Sequence, residues 1–97
     1  MQIVELGDCS MVIGNSSYDV NKLEEIFLTT KNSSKVKVFI HGNIDSYTEV
    51  KSHLLTPDVF ILYLSDKVPS CFHVGDVIGL KVGSYWFEKN YEDSRIR

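Results

Sequence analysis

Residues 46–65, SYTEVKSHLLTPDVFILYLS, decide the fold class of this chain. Ser46 and Glu49 have the spacing of an N-terminal capping box, in which each side chain satisfies an orphan backbone N–H of the first helical turn. Tyr47, Val50 and Leu54 follow at helical spacing, and Pro57 disfavours a helical conformation at Thr56. Six apolar residues in succession, Val59 to Leu64, then predict a central strand buried on both faces. The stretch therefore predicts a helix followed by a strand.

The same succession occurs one unit earlier, from Val20 to Ile40. Ser16 with Asp19 forms a capping box. Val20, Leu23, Ile26, Phe27 and Thr30 make an apolar stripe, with Asn21, Glu24, Glu25 and Lys31 facing water. Asn32-Ser33-Ser34 ends this helix. The strand Lys35 to His41 then alternates, with Val36, Val38 and Ile40 on one face and Lys35, Lys37, Phe39 and His41 on the other. Helix and strand repeated in this way build parallel sheets.

Working outward, Gln2 to Ile13 predicts a hairpin around Gly7-Asp8. Beyond Ser65–Ser70, three short strands are predicted at Cys71–Val74, Val77–Val82 and Tyr85–Glu88. They are separated by the turns Gly75-Asp76 and Gly83-Ser84. Residues 90–97 are predicted to be a frayed tail. The expected fold is thus a single domain over 1–97 of the α/β (α+β) class: a mixed sheet with a parallel βαβαβ centre, two helices and an antiparallel C-terminal β-meander.

Ninety-seven residues with 43% hydrophobic content suffice for one core. Ten Lys and Arg against thirteen Asp and Glu give a net charge of −3. That balance argues against a general nucleic-acid binder, whose affinity comes from a basic face on phosphates. No basic leader or apolar run of about 20 residues is present, so a soluble, cytoplasmic protein without a membrane span is expected. Cys9 and Cys71, far apart in sequence, are expected as free, buried thiols.

Were the sheet parallel, the loops after Ile13, Ile40 and Leu64 would converge beyond the carboxyl ends of their strands, where open α/β sheets hold ligands. Asn15, Ser16, His41, Asn43, Asp45 and Asp66 are the candidate binding residues on that edge. Gly14 to Ser17 offers backbone amides to an anion but lacks the spacing of a dinucleotide site or a P-loop. Ser16 or Ser65, His41 and Asp66 could be drawn as a triad, but no Gly-x-Ser-x-Gly elbow accompanies either serine. No catalytic residue is assigned.

Cys71-x-His73 is the one close pair of soft metal ligands, short of the four a structural zinc needs, so no metal or other cofactor is expected. His53 is expected to pair with Glu49 one helical turn earlier. Lys31, Lys35 and Lys37 with Phe39 could stack single-stranded nucleic acid, but lysines that protect a strand from aggregation account for them more simply. Tyr85 and Trp86, in the aromatic cluster that runs to Phe87 and Tyr91, are candidate contact residues, because Tyr and Trp dominate interface hot spots.

By elimination, the leading expectation is a non-enzymatic protein-binding module, such as a small acidic inhibitor or immunity-type protein. Glu24, Glu25, Asp45 and Asp66, or the aromatic strand, would meet a basic partner, for example a toxin or nuclease. The alternatives are a small-ligand or phosphate-binding enzyme with His41 as acid or base, and a homo-oligomeric structural or viral subunit, the simplest case a homodimer.

Overall fold

The computed structural model describes residues 1–14, 18–29, 35–83 and 85–87. Its elements are β1 (Ile3–Leu6), β2 (Ser10–Ile13), α1 (Val20–Thr29), β3 (Val36–Ile40), β4 (Asn43–Leu55), β5 (Phe60–Leu64), β6 (Ile78–Val82) and β7 (Tyr85–Phe87). The seven strands form one sheet in the order β1-β2-β5-β4-β3-β6-β7. Every adjacent pair is antiparallel. The expected α/β architecture is therefore wrong: the described residues contain one helix and no parallel βαβαβ centre.

The error lies in residues 47–54, which are strand and not helix. Asn43 to Val50 pairs with β3, and Val50 to Leu55 pairs with β5. The strand thus uses one edge along its first half and the other along its second. A register shift between Val50 and Ser52 marks the changeover, as expected where an irregular residue bends a strand. Bending is also required by length. Thirteen extended residues span about 43 Å, whereas the longest dimension of the molecule is 31 Å.

A capping box contributes only about 1 kcal/mol to a helix. Ile44, Tyr47, Thr48 and Val50 are β-branched or aromatic and suit a pleated surface, and pairing partners on both sides settle the competition. With β4 inserted between them, β3 and β5 cannot pair as parallel neighbours.

The sheet also curls back on itself. Gln2 bridges Val77 in antiparallel sense. Ile3 N–H donates to the Asp76 carbonyl at 3.0 Å, Gly75 N–H to the Ile3 carbonyl at 2.8 Å, and Ile78 N–H to the Met1 carbonyl at 2.8 Å. β1 therefore meets the approach to β6, and the six strands β1-β2-β5-β4-β3-β6 close into a barrel, with β7 continuing the edge of β6. The turn before this junction needs Gly75, whose φ is +99°.

Inward side chains, among them Ile3, Met11, Ile13, Val38, Phe60, Leu62, Leu64, Ile78, Leu80 and Val82, fill the interior. The expected inner face of β3 is correct. β5 is buried on one face only: Phe60, Leu62 and Leu64 point inward while Tyr63 remains 38% exposed. The hairpin of β1 and β2 and the pairing of β6 with β7 also match expectation, but residues 71–74 form a turn instead of a strand.

α1 crosses from β2 to β3 and buries Leu23 and Ile26 in the core. Asp19 caps it directly: its Oδ1 accepts the Lys22 N–H at 3.2 Å, and its carbonyl accepts the first helical bond, from Leu23. Asp19 is thus the N-cap and not the third helical residue that a box with Ser16 would make it. Tyr18 pins the entry to the helix by donating its hydroxyl proton to the Thr56 carbonyl at 3.0 Å. Burial, and secondarily the Asp58 carboxylate, raises the Tyr18 pKa, which keeps that proton on the oxygen. Cys9 and Cys71 are free thiols as expected, yet both are exposed.

Candidate functional site

An antiparallel sheet removes the edge on which three loops would converge. Ile13 lies opposite Phe60, at the start of β5, whereas Leu64, which precedes Asp66, is at its other end. Ile40 lies opposite Asn43 but Leu64 lies opposite Val50. Seven positions of β4 (43 to 50) therefore separate the two loops, roughly 20 Å at the rise of a strand. His41, Asn43 and Asp45 do share the hairpin between β3 and β4, and Asp66 stands apart from them. Asn15 and Ser16 lie outside the described residues.

The hairpin residues have local roles. His41 donates its backbone N–H to the Val77 carbonyl at 2.8 Å, and Asn43 Oδ1 accepts the Asp45 N–H at 3.3 Å. His73, next but one to Cys71, is turned to Asp76. Its backbone N–H donates to Asp76 Oδ2 at 2.8 Å, and its Nδ1 lies 3.8 Å from the same oxygen. Among the described residues no group of three or more His, Cys, Asp or Glu could hold a metal ion.

What the fold does assemble is a surface on the outside of β4, β3, β6 and β7. Cross-strand register sets it out in rows, because residues directly opposite one another share a face. One row runs Glu49–Lys37–Lys81–Trp86, and the next contains Tyr47–Phe39–Gly79. Phe39 points away from the barrel interior yet is only 2% exposed, since its neighbours cover it. The Trp86 ring stands edge-on to it, centroids 5.4 Å apart.

Lys37 Nζ sits 4.5 Å from the Tyr47 ring centroid, and Lys81 Nζ sits 5.1 Å from the Trp86 ring centroid. Together with Ile44 these side chains surround a hollow of about 90 Å³. Gly79, opposite Phe39, contributes no side chain to that row. Glu49, opposite Lys37, lies 4.0 Å from Lys35 Nζ, and among the described residues no carboxylate pairs with Lys37 or Lys81.

Sequence reasoning places Lys37 and Phe39 on one face and picks out Trp86, but it misses Tyr47, Ile44 and Lys81. The signal for Lys81 is present in Gly79-Leu80-Lys81, which repeats the apolar-in, basic-out alternation of Lys37-Val38-Phe39. Tyr47 is lost with the mistaken helix. Of Tyr85 only the backbone is described, within β7.

A second concavity, about 320 Å³, lies between α1 and the end of β4, lined by Glu24, Phe27, Leu28, His53, Leu54 and Leu55. Here the expected Glu49–His53 helical pair is replaced by stacking. The His53 and Phe27 rings are 3.9 Å apart and inclined by 16°. Burial against this ring lowers the His53 pKa, which favours the neutral imidazole.

No helix among the described residues is long and apolar enough to cross a membrane. No family model, curated protein or solved structure matches the chain.

Proposed function

We propose that this chain is a non-enzymatic binding module that docks a protein partner on the outer face of β4, β3, β6 and β7. One observation carries the proposal: Lys37 and Lys81 stand directly opposite each other on adjacent strands. Like charges in that position weaken a sheet. Their placement is therefore a cost to the fold, and a contact surface is the role that offsets it. The aromatic floor of Tyr47, Phe39 and Trp86 adds the rigid, amphipathic residues that anchor interfaces. The positive character of this face reverses the partner charge expected from overall composition.

Site-specific cross-linking in the native host tests the proposal. The photoreactive residue p-benzoylphenylalanine replaces Tyr47 in one variant and, as a control, the outward-facing Tyr63 of β5 in another. A discrete protein adduct from position 47 alone is expected. No adduct at 47, or the same adduct from 63, would overturn the proposal. So would a product at twice the 11.1 kDa chain mass, which would make the face a self-association surface.

A further inference from the structure

The outer face of β4, β3, β6 and β7 has a definite chemical preference, given its role as a contact surface. Building on that role, we infer that it takes an acidic segment of a partner protein, in which two carboxylates flank an apolar side chain in the extended pattern acidic–x–apolar–x–acidic.

Charge is the first ground. Lys37 and Lys81 are ringed by apolar and aromatic groups, and Glu49 is drawn to Lys35 at 4.0 Å. Among the described residues nothing neutralises the two ammonium groups, which are therefore open to an incoming anion while their stems line the hollow. Geometry is the second. Lys37 leans over Tyr47 on β4, and Lys81 leans over Trp86 on β7. β4 and β7 are three strand spacings apart in this sheet, about 14 Å. The two cations thus splay to either side of the hollow instead of meeting over its centre.

In an extended peptide, residues i and i+4 project from one face about 13 Å apart, with i+2 midway between them. Carboxylates at i and i+4 meet the two lysines while the side chain at i+2 enters the hollow beside Ile44 and over Phe39.

Single-stranded nucleic acid fits less well. Base stacking needs open ring faces. Phe39 is closed to solvent, and Tyr47 and Trp86 each already carry an ammonium group over the ring. A chain with net charge −3 also repels a polyanion at long range, whereas a short acidic segment incurs little of that repulsion.

Trp86 is the only tryptophan in the chain, so its fluorescence reports on this face directly. The test titrates the intact protein with the capped peptide Gly-Glu-Ser-Leu-Ser-Glu-Gly, with its Gln-for-Glu analogue, and with a ten-nucleotide oligo-dT. The Glu peptide should shift the Trp86 emission, with an affinity that falls as salt is raised. The Gln peptide should bind about tenfold more weakly or not at all, the loss expected for a charge-assisted contact. Lys37→Gln with Lys81→Gln should abolish the difference between the two peptides, and Lys37→Arg with Lys81→Arg should keep it. Salt dependence in the unaltered protein reads the same interaction without any variant.

Equal binding of both peptides, no shift with either, or tighter binding of oligo-dT would overturn the inference. Should the peptides fail while the adduct at position 47 persists, the face remains a contact surface and only the acidic partner is refuted.

Discussion

Two regions of this molecule lay a basic side chain on an aromatic ring, and they do so with opposite electrostatic results. At the end of the barrel, His53 stacks flat on Phe27 beside α1, and partial burial there favours the neutral imidazole. On the outer wall, Lys37 and Lys81 hold ammonium groups over Tyr47 and Trp86, whose ring faces attract a cation. The first ring pair extends the core, since Phe27 is also 6.4 Å from the buried Phe60. The second floats charge on an apolar floor at the surface. Similar local pairings thus extend the core in one place and, under the proposed function, form a contact surface in the other.

The largest test of this contrast is Phe39→Ala. Although it lies on the outer wall, Phe39 is as buried as a core residue, and its truncation should cost about 3 kcal/mol or more in a urea denaturation. It should also collapse the floor under Trp86 and shift that residue's emission. A loss below that of Phe27→Ala would show that the outer wall carries no packing of its own.

Phe27→Ala comes next, with a loss of about 1–2 kcal/mol for a half-buried ring, and it should return the His53 pKa towards its ordinary value of 6.5. An NMR titration of the His53 ring protons reads that return.

His53 itself predicts a pH dependence, whose sign is set by linkage. Its folded pKa lies below its unfolded value, so the unfolded chain binds the proton more readily and stability rises with pH. The contribution is fully present above pH 6.5 and is lost as pH falls through the folded pKa. Urea midpoints should fall from pH 7.5 to pH 5, and His53→Gln should flatten that part of the profile. An unchanged slope in His53→Gln would remove the distinction between the two ring sites.

The smallest effect is expected at the lysines. Lys37→Met or Lys81→Met relieves a like-charge neighbour and should change stability by no more than about 0.5 kcal/mol, in the stabilising direction. A clear destabilisation by urea would mean that the ammonium groups hold the wall together and that the cost argued for them does not exist.

Much of the fold is legible where local chemistry and tertiary pairing agree. Gly7-Asp8 turns a hairpin, Leu23 and Ile26 point a helix stripe inward, and Val36, Val38 and Ile40 alternate into the core. β4 is misread because its residues satisfy two periods at once. Tyr47, Val50 and Leu54 fit a helical stripe, while Ser46, Thr48 and Val50 fit an inward strand face. Only pairing with β3 and β5, which are remote in the local pattern, selects the second. One such error removes β4 from between β3 and β5 and creates an edge, gathering His41 and Asp66, that the molecule does not have.

The outer wall is legible in part, at Lys37, Phe39 and Trp86. Its other half depends on β6 lying beside β3, a pairing that joins positions far apart in the chain, such as Val36 with Val82. No periodicity along the chain encodes that neighbourhood.

The bridge between Gln2 and Val77 has a kinetic consequence. Among the described residues the outer edge of β1 is satisfied by residues 75–78, so the barrel cannot close until that distant segment is in place. Closing a loop of that length is entropically expensive, and such non-local pairings dominate slow folding. Until then β1 offers an unpaired edge to any neighbouring chain, the usual starting point for strand-to-strand aggregation. Refolding at high concentration should therefore be limited by this last junction, and weakening it should lower the yield of refolded protein before it lowers the stability of what has folded.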